Sequence, residues 1–511
     1  MFSVFFASDR SSSGKSMITM AFSKKVKELG YRVNVFKTGP DFLDPIVISR
    51  AVKTEVKNLD PFLIPAKFLN SWVFNGGDDM GYNGDLNKKR AFIVESAMGL
   101  YDGNSYKVAK NFKFPVVLVM DSKRISSTMA SLVYGLKKYK KWVNVCGVIL
   151  NNISSARHYQ IIFDEIKENI KDIEVFGYVL NDEGVFSIKE RHLGLIAPIT
   201  QKKGGADEGF EKIVNNIKDE VFHNINIDLM IRTLEKESDG FNNLFFNYVG
   251  QIKNTQFKAE SNKNNKGLFI KKKNNKNKKV KIAVAYDKAF FFYYNFNFEI
   301  LKSFGAEIVF FSPLVDKTIP KGTGVIYIGG GYPEIYAKNL AENHGILNEI
   351  YKFFKNNGII YAECGGLMYL SKSLTYKGES WDLSGILPFN VTMDNTGLSL
   401  GYRNVYLREK SFLGDKGLRV NGHEFHYSKI ITNDQNDNRD NRYSYDNHNP
   451  DNLKENSVGF KNVFECESLA SPGILKKEGY NVLNAVGSYV HLSFFSNKLI
   501  AKNIIDNAKI I

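Results

Sequence analysis

A chain of 511 residues exceeds what one hydrophobic core supports, so two or more domains are expected. With 43% hydrophobic, 13% aromatic and 24% charged residues, its composition is globular, which excludes the disordered, collagenous and disulfide-stapled classes. A net charge of +15 would ordinarily raise nucleic acid as a partner, but eleven lysines and one acid between Gln251 and Lys281 carry +10 of it, so no nucleic-acid partner is expected.

In chain order, an apolar run at 2–7 reads as a buried strand; it lacks a basic n-region, so no signal peptide is expected. Ser11-Ser12-Ser13-Gly14-Lys15-Ser16 follows, then a helical pattern (Met17, Ile18, Phe22, Val26, Leu29) stopped by Gly30. Such a loop aims backbone N–H groups and the positive end of a helix at an anion; Gly14, Lys15 and Ser16 are therefore candidate phosphate-binding residues, with the Ser16 hydroxyl a candidate Mg²⁺ ligand. Only Gly14 remains of the usual glycines, since Asp9 stands six residues before Lys15.

Further strands are expected at 32–36, 91–94, 115–120 and 143–150, alternating with helical patterns as in a parallel sheet covered on both faces. Three segments place carboxylates at strand ends on one side of this sheet: Asp41 and Asp44 in 37–45, Asp60 in 58–61, Glu95 and Asp102 in 95–103. Ligands bind at the carboxyl ends of strands in such sheets, so Asp41, Asp44 and Asp102 are candidate substrate or phosphate residues and Glu95 a candidate Mg²⁺ ligand. The first domain is placed at 1–235 and a Lys/Asn-rich linker at 236–280. From 281 to 511 the strand rhythm restarts at 281–286, 307–311, 325–328 and 358–362, with a surface insertion at about 433–456 that is dense in Asn, Asp and Arg.

In this second α/β domain the strand at 358–362 runs through Glu363 to Cys364, Gly365 and Gly366, and a helical pattern begins at once. That is the layout of a nucleophile elbow with sulfur in place of oxygen, and a helix N-terminus is expected to lower the thiol pKa. The base could be His423, His426 or His491; the pattern does not choose. Gly330 and Gly331, after the strand at 325–328, could line an oxyanion hole together with Gly365. Cys146 and Cys466 read as packing, and three scattered cysteines give no disulfide framework. No window approaches the ~20 apolar residues of a membrane span. A cytoplasmic protein without membrane contact is expected.

These motifs carry a resemblance. Residues 37–45, 58–61, 98–103, 191–195, 289–294, 329–334, 362–370, 401–403, 422–428 and 487–491 resemble the signatures of the cobyrinate a,c-diamide synthase family. The resemblance covers nearly the whole chain outside the linker and the insertion. It implies a P-loop-type, dethiobiotin-synthetase-like amidoligase domain and a class I glutamine amidotransferase domain, with Cys364 as nucleophile and His491 as its base. It further implies ATP-dependent amidation of the a- and c-carboxylates of cobyrinate in cobalamin biosynthesis, through acyl phosphates, with L-glutamine as nitrogen donor and Mg²⁺ as cofactor. Nickel sirohydrochlorin (coenzyme F430) and hydrogenobyrinate are alternative substrates for the same chemistry, and a homodimer is the oligomeric state entertained. Ordinary class I glutaminases have a glutamate two residues after the histidine, where this chain has Ser493, so the third member of the triad is unassigned. A non-enzymatic nucleotide switch of the partitioning type would account for the first domain but not for Cys364 and His491.

Overall fold

The computed structural model describes residues 1–74, 89–181, 206–261, 279–431 and 459–508; the signature at 191–195 and the insertion at 433–456 lie outside them. Two compact units divide the chain, Met1–Phe269 and Ile270–Ile511.

The first unit is built on seven strands: β1 (Phe2–Ala7), β2 (Arg32–Thr38), β3 (Val56–Leu59), β4 (Arg90–Glu95), β5 (Val116–Asp121), β6 (Val145–Ile153) and β7 (Glu174–Leu180). They form one parallel sheet in the order β3-β2-β4-β1-β5-β6-β7. Alternation along β1 sends Phe2, Val4 and Phe6 to one face, where they pack with Ile18, Phe22 and Val26 of the helix Lys15–Glu28. Phe5 goes to the other face, against Phe114. Register sets the ligand end of the sheet: Glu95 lies beside Phe6 of β1 on one side and Lys37 of β2 on the other.

The expected linker differs from the structure in its first part. The helix Asp239–Ser261 covers the second face of this sheet. In it Phe241 is wholly buried, with its ring 4.9 Å from those of Phe92 and Phe114. The first folded unit therefore runs past residue 235, because an aromatic stripe lies beneath the asparagine-rich composition. The residues 262–278 of the same stretch lie outside the described ones.

The second unit begins with β8 (Val280–Ala285), β9 (Phe290–Phe292), β10 (Ala306–Phe311), β11 (Thr323–Ile328), β12 (Gly330–Gly331) and β13 (Ile359–Glu363). Ten further strands follow: β14 (Ser373–Tyr376), β15 (Glu379–Asp382), β16 (Asn390–Thr392), β17 (Ser399–Leu407), β18 (Arg419–His426), β19 (Lys429–Ile431), β20 (Lys461–Ser468), β21 (Ser471–Val482), β22 (Ala485–Ser488) and β23 (Val490–Leu492). The main sheet has the order β10-β8-β11-β13-β22-β21-β20-β17-β18-β23. It is parallel from β10 to β22 and antiparallel beyond. The parallel half is the apolar core, with Ile326, Ile328, Ile360 and Ala362 packed on Leu367 and Leu370. Two small sheets, β12-β9 and β15-β14-β16-β19, complete the unit. Among the described residues no helix is long and apolar enough to cross a membrane.

Candidate active sites

In the first unit the chain leaves β1 and turns into the helix Lys15–Glu28 through two left-handed residues, Ser12 (φ +58°) and Gly14 (φ +93°). A β-carbon on Gly14 would be strained and would strike the side chain of Asn151, whose Nδ2 donates to Ser13 O at 3.0 Å. Lys15 is buried, and its ammonium donates to Ser8 Oγ and Arg10 O, each at 2.8 Å. Burial lowers its pKa to about 8 in spite of the nearby Glu95.

Next to the loop is a buried ionic cluster. Lys37 Nζ donates to Asp44 Oδ2 at 2.5 Å and to Glu95 Oε1 at 2.6 Å, and lies 3.8 Å from Asp41 Oδ2. Ser16 Oγ reaches the same two oxygens, 2.7 Å from Glu95 Oε1 and 3.0 Å from Asp44 Oδ2. Burial works against the charge on Lys37, but the carboxylates outweigh it and raise its pKa. Burial and the charge of Asp44 raise the pKa of Asp41; for Asp44 burial is outweighed by Lys37, which holds it down.

Glu95 is fully buried, and its Oε2 has no hydrogen-bond partner among the described residues. Two carboxylates, one of them with an unused oxygen, and a hydroxyl are hard donors that fit a small divalent cation. Among the described residues no three His, Cys, Asp or Glu side chains are grouped for a metal ion, so phosphate and water would have to complete its shell. Asp102 stands apart from this cluster. It is exposed and accepts the Gly99 N–H at 3.1 Å, in a loop tied to Ser8 O by the Leu100 N–H. Lys37 was not singled out in the sequence, although it opens the acidic segment at the end of its strand.

In the second unit β13 ends at Glu363, and Cys364 joins it to the helix Gly365–Leu370 with φ +50° and ψ −105°, a costly conformation for a residue with a side chain. The Cys364 N–H donates to Ser488 O at 2.7 Å, and Sγ lies 3.5 Å from Phe425 O. The expected lowering of the thiol pKa does not occur. Burial, reinforced by Glu334, pushes it up to about 12, and a helix of six residues does not offset this.

Gly330, Gly331 and Gly365 come together around the elbow. A β-carbon on Gly365 would lie 3.1 Å from Gly331 N, and one on Gly330 would lie 2.6 Å from His491 Cε1 and 3.1 Å from its Nε2. The three histidines differ sharply. His426 has both ring nitrogens engaged, by Ser428 O at 2.9 Å and Glu424 Oε1 at 2.8 Å, and its ring stacks on Tyr489. His423 is lowered to about 3 by burial and by the adjoining His491 and Arg403. His491, opposite His423 in the β18–β23 register, is 1% exposed with Nδ1 3.6 Å from Glu363 Oε2. Glu363, also 1% exposed, was missed in the sequence; its one signal is a carboxylate closing an apolar strand immediately before the cysteine.

Residues 4–196 match the CobQ/CobB/MinD/ParA nucleotide binding domain, and residues 281–499 match the CobB/CobQ-like glutamine amidotransferase domain. The cobyrinate a,c-diamide synthase of Picrophilus torridus is 33% identical over 84% of this chain and 89% of its own length. That of Caldanaerobacter subterraneus subsp. tengcongensis is 32% identical over 98% of this chain and 97% of its own. A solved glutamine amidotransferase from Thermotoga maritima covers 42% of this chain and 76% of its own, with 15% identity and a TM-score of 0.27.

Proposed function

Because the chain belongs to the cobyrinate a,c-diamide synthase family of glutamine-dependent ligases, we propose that it converts the a- and c-carboxylates of cobyrinate to amides, using ATP and ammonia drawn from L-glutamine. The observation that carries this reading is the pairing, in one chain, of a strained cysteine elbow beside His491 with a phosphate loop bordered by Lys37, Asp44 and Glu95.

A carboxylate resists ammonia because it is anionic and its oxygen leaves poorly. Transfer of the γ-phosphoryl group of ATP to that oxygen gives an acyl phosphate, and attack of ammonia on the acyl carbon then expels phosphate. The Gly14 turn offers backbone N–H groups to the phosphates, and the Lys15 ammonium exchanges its loop acceptors for phosphate oxygens as charge develops. Ser16, Glu95 and Asp44 would hold Mg²⁺, which supplies charge neutralisation on the phosphates when bound. Glu95, Asp44 and Asp41 keep Lys37 charged at the edge of this site, and Asp102 acts through the loop that braces Ser8.

In the second unit His491 is the ring left to act as base, since His426 is engaged at both nitrogens and His423 is too weakly basic. Burial favours the neutral thiol, and its proton passes to His491 as Sγ attacks the glutamine amide carbon. The Gly331 and Gly365 N–H groups stabilise the oxyanion, ammonia departs with a proton returned by His491, and water hydrolyses the γ-glutamyl thioester. The test is incubation with ATP, Mg²⁺ and glutamine plus cobyrinate, hydrogenobyrinate or nickel sirohydrochlorin, with amides counted by mass spectrometry. A diamide of cobyrinate is expected. A diamide of one of the others alone would overturn the substrate, and no amide on any would overturn the reading.

A further inference from the structure

A histidine that takes a proton at one ring nitrogen works only if the other is held in the right protonation state, because a neutral imidazole has a single N–H. We infer that Glu363 is the positioning residue of the glutaminase centre: its carboxylate keeps His491 protonated at Nδ1, leaving Nε2 to accept the Cys364 proton, and stabilises the imidazolium that results. This rests on the proposed roles of Cys364 and His491.

The geometry is specific to this carboxylate. Glu363 Oε1 accepts the Tyr361 hydroxyl at 2.7 Å and the Leu492 N–H at 3.0 Å, while Oε2 accepts the Tyr327 hydroxyl at 2.7 Å. Three donors therefore fix the group, and one of them is the backbone of the residue next to His491, which locks β13 to β23. Oε2 is the oxygen turned to Nδ1, at 3.6 Å. That separation is beyond a hydrogen bond but within ion-pair reach, and such contacts close as charge builds on the ring. On its other edge the ring meets Gly330, on the side of Cε1 and Nε2, so the two ring nitrogens face different surroundings. The Ser493 hydroxyl accepts the Ser496 N–H at 3.3 Å, as part of the turn that follows β23.

Glu363→Gln is nearly isosteric but uncharged, and its amide can present an N–H to Nδ1, which favours the opposite tautomer. On the precedent of triads that lose their carboxylate, kcat for glutamine hydrolysis is expected to fall by roughly 10²- to 10⁴-fold. KM for glutamine should stay within about threefold, the signature of a loss confined to the transition state. Unfolding temperature and ammonium-dependent amidation should match wild type. A Glu363→Gln kcat within about threefold of wild type, with Cys364→Ala inactive, refutes the inference and leaves the Cys364 reading standing. Glutamine hydrolysis persisting in Cys364→Ala overturns both. If Glu363→Gln does not fold, histidine-labelled ¹⁵N NMR of the wild-type protein decides, with the His491 signal identified by its loss in His491→Gln: a protonated Nδ1 supports the inference, and a bare Nδ1 with protonated Nε2 overturns it.

Discussion

Gly330→Ala displaces His491 without replacing any side chain that does chemistry. The new β-carbon would lie 2.6 Å from His491 Cε1, 3.1 Å from Nε2 and 3.3 Å from Phe292 Cβ. Carbon atoms rest at about 3.5–4.0 Å, so something must give by about 1 Å. Gly330 is not among the glycines with positive φ, so backbone strain adds nothing and the whole effect is steric. Phe292 sits in the short ladder with β12, and the His491 ring is the more easily displaced of the two. A misplacement of ~1 Å costs on the order of 10²-fold in rate, or about 2.7 kcal/mol of transition-state stabilisation. The assay is glutamate release from glutamine, with ammonium-dependent amidation as the internal control and thermal unfolding to exclude a folding defect. Glutaminase kcat should fall by about 10²-fold while amidation from ammonium is unchanged. A variant with wild-type kcat and wild-type unfolding would show that the ring beside Gly330 is not the working base.

Two further outcomes follow from buried groups elsewhere. Burial pushes the Lys15 pKa down to about 8, so in the role proposed for it Lys15 binds ATP in its protonated form, with proton uptake above that pH. ATP affinity, measured by titration calorimetry, should fall as pH rises from about 7 to about 9.5, by at most about tenfold per unit. Lys15→Met should bind more weakly at neutral pH and without that slope; a flat wild-type profile contradicts the assignment. Phe241→Ala removes a ring packed on Phe92, Phe114 and Phe74, and should cost about 3–5 kcal/mol in denaturant unfolding of the first unit. A cost near zero would return the segment after residue 235 to the linker.

What the sequence made legible was local and contiguous. The central parallel strands are uninterrupted apolar runs because helices cover both faces, and they were found at 2–7, 91–94 and 325–328 within a residue or two of their observed ends. The edge strand β3 was expected only through the carboxylate at its end, with no range of its own: two of its four residues are Lys57 and Asn58, and Lys57 is buried with its ammonium over Trp72. The antiparallel half of the second sheet was hidden for the opposite reason, since the first six residues of β21 are all exposed and read as surface. The first helical turns after residue 239 keep Phe241 and Phe245 one turn apart under a polar composition.

Both sites show the same limit. Gly14, Lys15 and Ser16 are neighbours in sequence, as are Cys364 and Gly365, so a strand–turn–helix pattern exposes them. The pairing of Glu363 with His491 exists only because β13 pairs with β22 and the chain passes from β22 straight into β23, whose Leu492 N–H meets the Glu363 carboxylate, and the convergence of Lys37, Asp44 and Glu95 comes from the register of β2 against β4. Thiol basicity was misjudged because a helix terminus is visible in sequence while burial is not.

On the proposed function, nitrogen passes from glutamine through Cys364 while carboxylate activation proceeds independently at the phosphate loop. This is tested most directly by supplying amide-¹⁵N glutamine together with unlabelled ammonium, ATP, Mg²⁺ and cobyrinate, and reading the isotope in the product amides by mass spectrometry. Wild type should place ¹⁵N in both amides. Cys364→Ala should form the same diamide with unlabelled nitrogen only, at a rate that rises with the unprotonated ammonia concentration, whereas Lys15→Ala should form none from either source. Incorporation of ¹⁵N by Cys364→Ala, or amidation from ammonium by Lys15→Ala, would contradict the account.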